Sequence, residues 1–156
     1  MMSLYQDLIL KHAKNSIFER KLESRTHGAR GANPLCGDFI SLELRIQDDL
    51  IQELGFQGEM SAITRASASL MGGLISGHSL ANAHTRIQCA LAMLTGKDVP
   101  EHDKVLGEFA AMRILRNFPN RIKTATLPWV ALQQALSDET DVLVTTEISQ
   151  QTEKSS

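Results

Sequence analysis

Over residues 39–46 apolar and polar residues alternate from Ile40 onward. Ile40, Leu42, Leu44 and Ile46 fall on one side, and Ser41, Glu43 and Arg45 on the other. A period of two predicts a half-buried strand. A second strand-like run, Leu50 to Phe56, follows after Gln47-Asp48-Asp49, and so short a polar link predicts an antiparallel hairpin. From Ser61 the period changes. Ile63, Ala66, Leu70 and Leu74 recur at helical spacing, with Gly77 as the stop. A second helix spans about Leu80 to Thr95 between Ser79 and Gly96, with Leu80, Ala83, Ile87, Ala90, Leu91 and Leu94 on its apolar positions. A third covers about Lys104 to Arg116, turning Leu106, Phe109 and Ala110 inward, and Phe118-Pro119 closes it. The last strong helix carries Trp129, Leu132 and Leu136. Proline is tolerated only in a first turn, so Pro128 starts that helix near Thr126 and leaves Thr124 just before it.

The ends of the chain read differently. Residues 4–14 form a short amphipathic helix with Ser3 in the N-cap position and Leu4, Leu8 and Ile9 on one side. Residues 23–34, rich in Gly, Arg, Asn and Ser, read as a loop. From Asp138 the composition turns to Thr, Ser, Glu and Gln, which predicts a flexible tail despite the short Val142-Leu143-Val144 run. A hairpin followed by a block of helices predicts an α+β fold, a small antiparallel sheet packed against several helices in two layers. The domain is expected over residues 1–137, with residues 138–156 as the tail.

Composition narrows the function. At 156 residues the chain fits one domain with an ordinary core. A net charge of −2 gives no general case for nucleic-acid binding. No apolar run approaches the roughly 18 residues of a membrane span. The first residues lack the basic-then-apolar pattern of a secretion signal, so the cytoplasm is the expected compartment. There, a disulfide between the two cysteines, Cys36 and Cys89, is not expected. Two thiols also cannot make a four-thiolate zinc or cluster site within one chain.

Cys36 lies between Asn33-Pro34 and Gly37-Asp38, a setting that puts it on a loop; a buried structural thiol is the bland reading. Cys89, mid-helix, reads as a packing residue. His12, His27, His78, His84 and His102 show no HxxxH or HxH spacing, and none is assigned to a metal. Ser67 and Ser69 look nucleophilic, but no Ser-His-Asp framework surrounds them in the sequence. Arg113, Arg116, Arg121 and Lys123 form either a patch for an acidic partner or a solvated face.

Longer matches to a known pattern cover residues 4–136. Asn33-Pro34-Leu35-Cys36-Gly37-Asp38 resembles the first cysteine motif of the iron–sulfur scaffold family whose branches are IscU, NifU and SufU. Phe56-Gln57-Gly58-Glu59-Met60-Ser61-Ala62-Ile63, followed by Ala66-Ser67-Ala68-Ser69-Leu70-Met71, resembles the second. There Met60 and Ser61 replace the family's glycine and cysteine. Phe118-Pro119-Asn120-Arg121-Ile122-Lys123-Thr124-Ala125-Thr126-Leu127-Pro128-Trp129 resembles the third, with Thr124 in place of its cysteine. The long stretch between Ser61 and Thr124 is similar to the SufU branch.

The resemblance implies that Cys36, Asp38, Ser61 and Thr124 converge where the family binds a nascent cluster, or zinc in the SufU branch. Serine and threonine hydroxyls are poor ligands for zinc or iron. One thiolate and one carboxylate therefore give no stable cofactor site in a monomer, whether for zinc or for a transient iron–sulfur cluster. The resemblance also implies that Cys36 accepts sulfur from a cysteine desulfurase. The SufE proteins, similar in fold, carry a persulfide on a single cysteine. Lys123 or Arg121 would favour the Cys36 thiolate, and Asp38 would oppose it. Expected partners are a cysteine desulfurase and other iron–sulfur assembly proteins, with neither nucleic acid nor membrane involved. Two alternatives stay open: a non-catalytic module that binds desulfurase or scaffold, and a degenerate scaffold that holds metal only across an oligomer interface.

Overall fold

The alternation over residues 39–46 becomes a strand, and its neighbour pairs with it as the polar link demands. The computed structural model describes residues 2–14 and 16–146. Its elements in chain order are α1 (Met2–His12), β1 (His27–Asn33), β2 (Asp38–Gln47), β3 (Leu50–Glu59), α2 (Ala62–Ile75), α3 (Leu80–Leu94), α4 (His102–Leu106), a 3-10 stretch (Gly107–Asn117), α5 (Pro119–Ala135) and β4 (Leu143–Thr145). The sheet runs β3-β2-β1-β4. Gln47 pairs with Leu50, so Asp48 and Asp49 alone make the turn, both with positive φ. Aspartate tolerates that region better than most residues. A bulge at Gln52 shifts the pairing from Ile46–Ile51 to Arg45–Glu53. The extra residue resets the phase of β3, so Ile51, Leu54 and Phe56 all face the core.

Residues 23–34 are not all loop. Within them β1 forms the strand between β2 and β4. Its glycines serve packing rather than turning. A Cβ on Gly31 would lie 3.0 Å from Leu127 Cδ1 and 3.2 Å from Ile40 Cγ2, so glycine lets α5 settle close on the sheet. The predicted tail also contributes: residues 143–145 pair with β1 in parallel as β4 and bury Val144. The free edge of β1 supplies the backbone partners that the composition of this segment conceals, and the sheet is mixed rather than antiparallel. Residues 147–156 lie outside the described residues.

Three helix boundaries also differ from expectation. First, α1 begins at Met2, which places Ser3 inside the helix, and Tyr5 rather than Leu4 turns to the core with Leu8. Second, the helix expected over 104–116 breaks at Gly107, whose φ is +53°, and continues in 3-10 geometry. Leu106, Phe109, Met112 and Leu115 are all fully buried, three residues apart, as a period of three requires. Third, α5 runs through Pro128 and starts seven residues earlier than Thr126, with Pro119 in its first turn. Proline frees the carbonyl four residues before it and splays the next. Here those carbonyls meet hydroxyls from α2: Thr64 Oγ1 lies 3.3 Å from Thr124 O, and Ser67 Oγ donates to Ala125 O at 2.6 Å. Helix α5 packs on β1 and β2 on one side and meets α2 and α3 on the other, with Trp129 fully buried against Phe109. No helix among the described residues is long and apolar enough to cross a membrane.

Candidate functional site

The β1–β2 connection is a four-residue turn, Pro34 to Gly37, closed by the Asn33–Asp38 pair. The Cys36 amide donates to Asn33 O at 3.1 Å, and Gly37 takes φ +73°. A Cβ on Gly37 would touch nothing, so its conformation, not crowding, calls for glycine there. The turn leaves Cys36 exposed. Cys89, by contrast, is buried in α3, and burial pushes its thiol up.

Thr124 is mid-helix, not in a loop, and 4% exposed. Its Oγ1 sits 3.4 Å from Cys36 Sγ and 3.4 Å from Asn120 O. The hydroxyl proton can therefore turn to the sulfur when the thiolate forms. Lys123, the preceding residue, lines a cavity of about 340 Å³ with Asn33, Leu35, Cys36 and Asn120. The structure thus brings Cys36, Thr124 and Lys123 to one place. Arg121, the other cation considered, stacks over the Phe118 ring at 5.0 Å instead.

Asp38 opens β2 and is 4% exposed. One carboxylate oxygen accepts the Ser61 amide at 2.7 Å; the other accepts the Thr64 hydroxyl at 2.7 Å and lies 3.5 Å from Ser61 Oγ. Ser61 is the N-cap of α2, where its Oγ accepts the Thr64 amide. A carboxylate against a helix N-terminus is favoured by the orphan amides and the helix dipole. Asp38 and Ser61 therefore tie the hairpin base to α2. Thr64, which no sequence motif singled out, is the residue both helices and the carboxylate share.

The donor set does not fit zinc or a cluster. It offers one thiol, two hydroxyls and a carboxylate already committed to α2, and among the described residues no group of three or more His, Cys, Asp or Glu could hold a metal ion.

The sequence matches the family described as the NifU-like N-terminal domain over residues 4–125. The chain belongs to that family. It is 33% identical over 137 residues to the zinc-dependent sulfurtransferase SufU of Bacillus subtilis, covering 88% of this chain and 92% of that protein. It is also 33% identical to the iron–sulfur cluster assembly scaffold protein IscU of Thermotoga maritima, covering 85% and 92%. A SUF-system scaffold crystal structure from Fervidobacterium islandicum superposes with a TM-score of 0.81 at 30% identity, covering 86% of this chain and 98% of the other. The NifU-like protein of Brucella abortus shares the fold, with a TM-score of 0.72 at 22% identity.

Away from this site the structure assembles a contact that sequence spacing hid. Ser69 Oγ lies 3.0 Å from His12 Nδ1 and accepts from Ser16 Oγ at 2.8 Å. Glu108 stands 3.9 Å from His12 Nε2, beyond hydrogen-bond reach. So Ser69 does have a histidine beside it, drawn from α1 and 57 residues away. The cluster pins α1 and the turn after it to α2.

Proposed function

We propose that this family member serves iron–sulfur cluster assembly as a sulfur acceptor, taking a sulfane sulfur from a cysteine desulfurase onto Cys36. The observation that carries the reading is the exposed Cys36 on a glycine-bent turn, with the Thr124 hydroxyl 3.4 Å from its sulfur. Sulfur transfer needs one nucleophilic thiolate that a partner can reach, and no closed ligand set. The names of the relatives, a sulfurtransferase and scaffolds, agree with that role.

In the reaction, the Cys36 thiolate attacks the outer sulfur of the desulfurase persulfide. Thr124 holds the thiolate through its hydroxyl, and Lys123 contributes positive charge at the cavity. Asp38 keeps the turn and α2 in register, so that Cys36 stays over Thr124.

The test is intact mass after incubation with a cysteine desulfurase and cysteine. The wild type gains one sulfur atom, and Cys36→Ser gains none. A Cys36→Ser protein that still gains sulfur overturns the reading. A wild type that binds the desulfurase but never gains sulfur replaces it with the regulatory-module reading.

A further inference from the structure

Asn33 ends β1 directly beneath the Cys36 turn and is 0% exposed. Its backbone is in use, pairing with Asp38 and accepting the Cys36 amide. Its carboxamide is not: neither Nδ2 nor Oδ1 has a hydrogen-bond partner. A buried, unpaired amide is costly, and a leucine of similar size would avoid the cost. Asn33 also lines the cavity beside Cys36 with Leu35, Asn120 and Lys123. An unsatisfied amide next to an exposed thiol is a donor awaiting a partner.

We propose that this cavity receives the outer sulfur of a Cys36 persulfide and that Asn33 Nδ2 donates a hydrogen bond to it. The proposal rests on the sulfur-acceptor reading above and names what that site holds after transfer. The electron count closes within the site. A lone pair on the Cys36 thiolate forms the new sulfur–sulfur bond, and the pair of the old bond leaves on the donor's sulfur, now a thiolate. Nothing is oxidised or reduced overall. The outer sulfur left on Cys36 is anionic once its proton is lost, and it needs donors rather than acceptors around it. Asn33 and Lys123 offer donors, and Leu35 adds an apolar wall. A volume of about 340 Å³ exceeds what one sulfur needs and leaves room for the sulfur that attacks or departs.

The experiment separates this proposal from the reading beneath it. The full-length protein is loaded with inorganic polysulfide, which transfers sulfur by the same displacement without a desulfurase. Persulfide on Cys36 is then followed by intact mass in a fixed concentration of glutathione. Wild type and Asn33→Leu both load, but in the variant the persulfide half-life shortens about tenfold, the effect of losing one hydrogen bond to a charged group. The unloaded variant melts at the same temperature or higher, because the unpaired amide is gone. Asn33→Asp, which sets a carboxylate against the outer sulfur, shortens the half-life at least as much and serves as the second variant where Asn33→Leu does not fold. Equal half-lives in wild type and both folded variants overturn the proposal, whether Asn33 is then held by water or by packing. So does a wild type that retains no polysulfide sulfur on Cys36. Loading by polysulfide together with no loading from a desulfurase overturns the sulfur-acceptor reading and leaves the cavity result to stand or fall alone.

Discussion

Replacing Thr64 by valine removes one hydroxyl from the junction of the β1–β2 hairpin, α2 and α5. In the folded protein that hydroxyl donates to Asp38 Oδ2 at 2.7 Å and lies 3.3 Å from the Thr124 carbonyl left without an amide by Pro128. Thr64 is fully buried and Asp38 nearly so, so water does not readily replace the lost donor. A hydrogen bond to a charged group contributes about 1.5–3 kcal/mol. Asp38 keeps its bond from the Ser61 amide, which sets the expected cost of Thr64→Val within that range, about 2 kcal/mol. For a chain of this length the melting temperature falls by roughly 4–8 °C. Asp38→Asn weakens both carboxylate bonds and costs about as much, roughly 2 kcal/mol. Because the two changes act on the same bond, the double variant costs less than their sum, with a coupling of about 1–2 kcal/mol. Urea unfolding of the four proteins, analysed by linear extrapolation, measures that coupling. Additivity to within about 0.5 kcal/mol would refute the argument that Thr64 and Asp38 form one unit. The same proteins also report on Asp38 in sulfur transfer. A folded Asp38→Asn variant that gains sulfur at the wild-type rate keeps Asp38 in its architectural role; one that folds but does not load moves it into the chemistry.

Three other outcomes follow from particular contacts. Burial holds His12 below the ordinary histidine value of 6.5, against the opposing pull of Glu108; the unfolded chain takes up the proton first as pH falls, so stability present above about 6.5 declines below it. The urea midpoint should drop less steeply on acidification in His12→Gln than in wild type, and identical slopes would count against His12. Cysteines placed where the resemblance expects them, Ser61→Cys and Thr124→Cys, should confer stoichiometric zinc, measured by elemental analysis, on the double variant and on neither single one; a metal-free double variant would show that the three segments do not converge on a metal site. Gly31→Val should cost about 1–3 kcal/mol by forcing α5 away from β1, where even a Cβ would reach 3.0 Å from Leu127 Cδ1; an unchanged melting temperature would contradict that close approach.

The parts of the fold legible in the sequence were those governed by one local rule. Alternation at residues 40–46, the change of period at Ser61, the helix start after Ser79 and the stops Gly77 and Gly96 all act within a few residues of themselves. The parts that were hidden depend on a partner far along the chain. Strand β1 reads as a loop because Gly28 and Gly31 have no side chain to show a period; the value of Gly31 appears only when α5 lies on it, and that of Gly28 only when Arg25, the Leu42 carbonyl and Asp141 close around it. The extent of α5 was hidden because Pro128 is a helix breaker until hydroxyls from α2 meet the freed carbonyls. Around the candidate site, the proximity of Cys36 to Thr124 and of Asp38 to Ser61 was legible from the resemblance. Their division of labour was not, because it is written in hydrogen bonds spanning 23 to 88 residues.

That division bears on how a site with one thiol is held together. In a metal site, the ligands would pull the hairpin turn, the start of α2 and the middle of α5 onto one ion. Here the same three segments are joined by hydrogen bonds: Cys36 to Thr124, Asp38 to Ser61 and Thr64, and Thr64 toward the Thr124 carbonyl. Serine and threonine at the positions where the resemblance expects cysteine can cap and donate, which cysteine does weakly. In the proposed function the hydroxyls do structural work and the chemistry falls to Cys36. On the sulfur-acceptor reading, segments joined by hydrogen bonds need no ion to meet, and the Cys36 thiol is left open to an incoming sulfur.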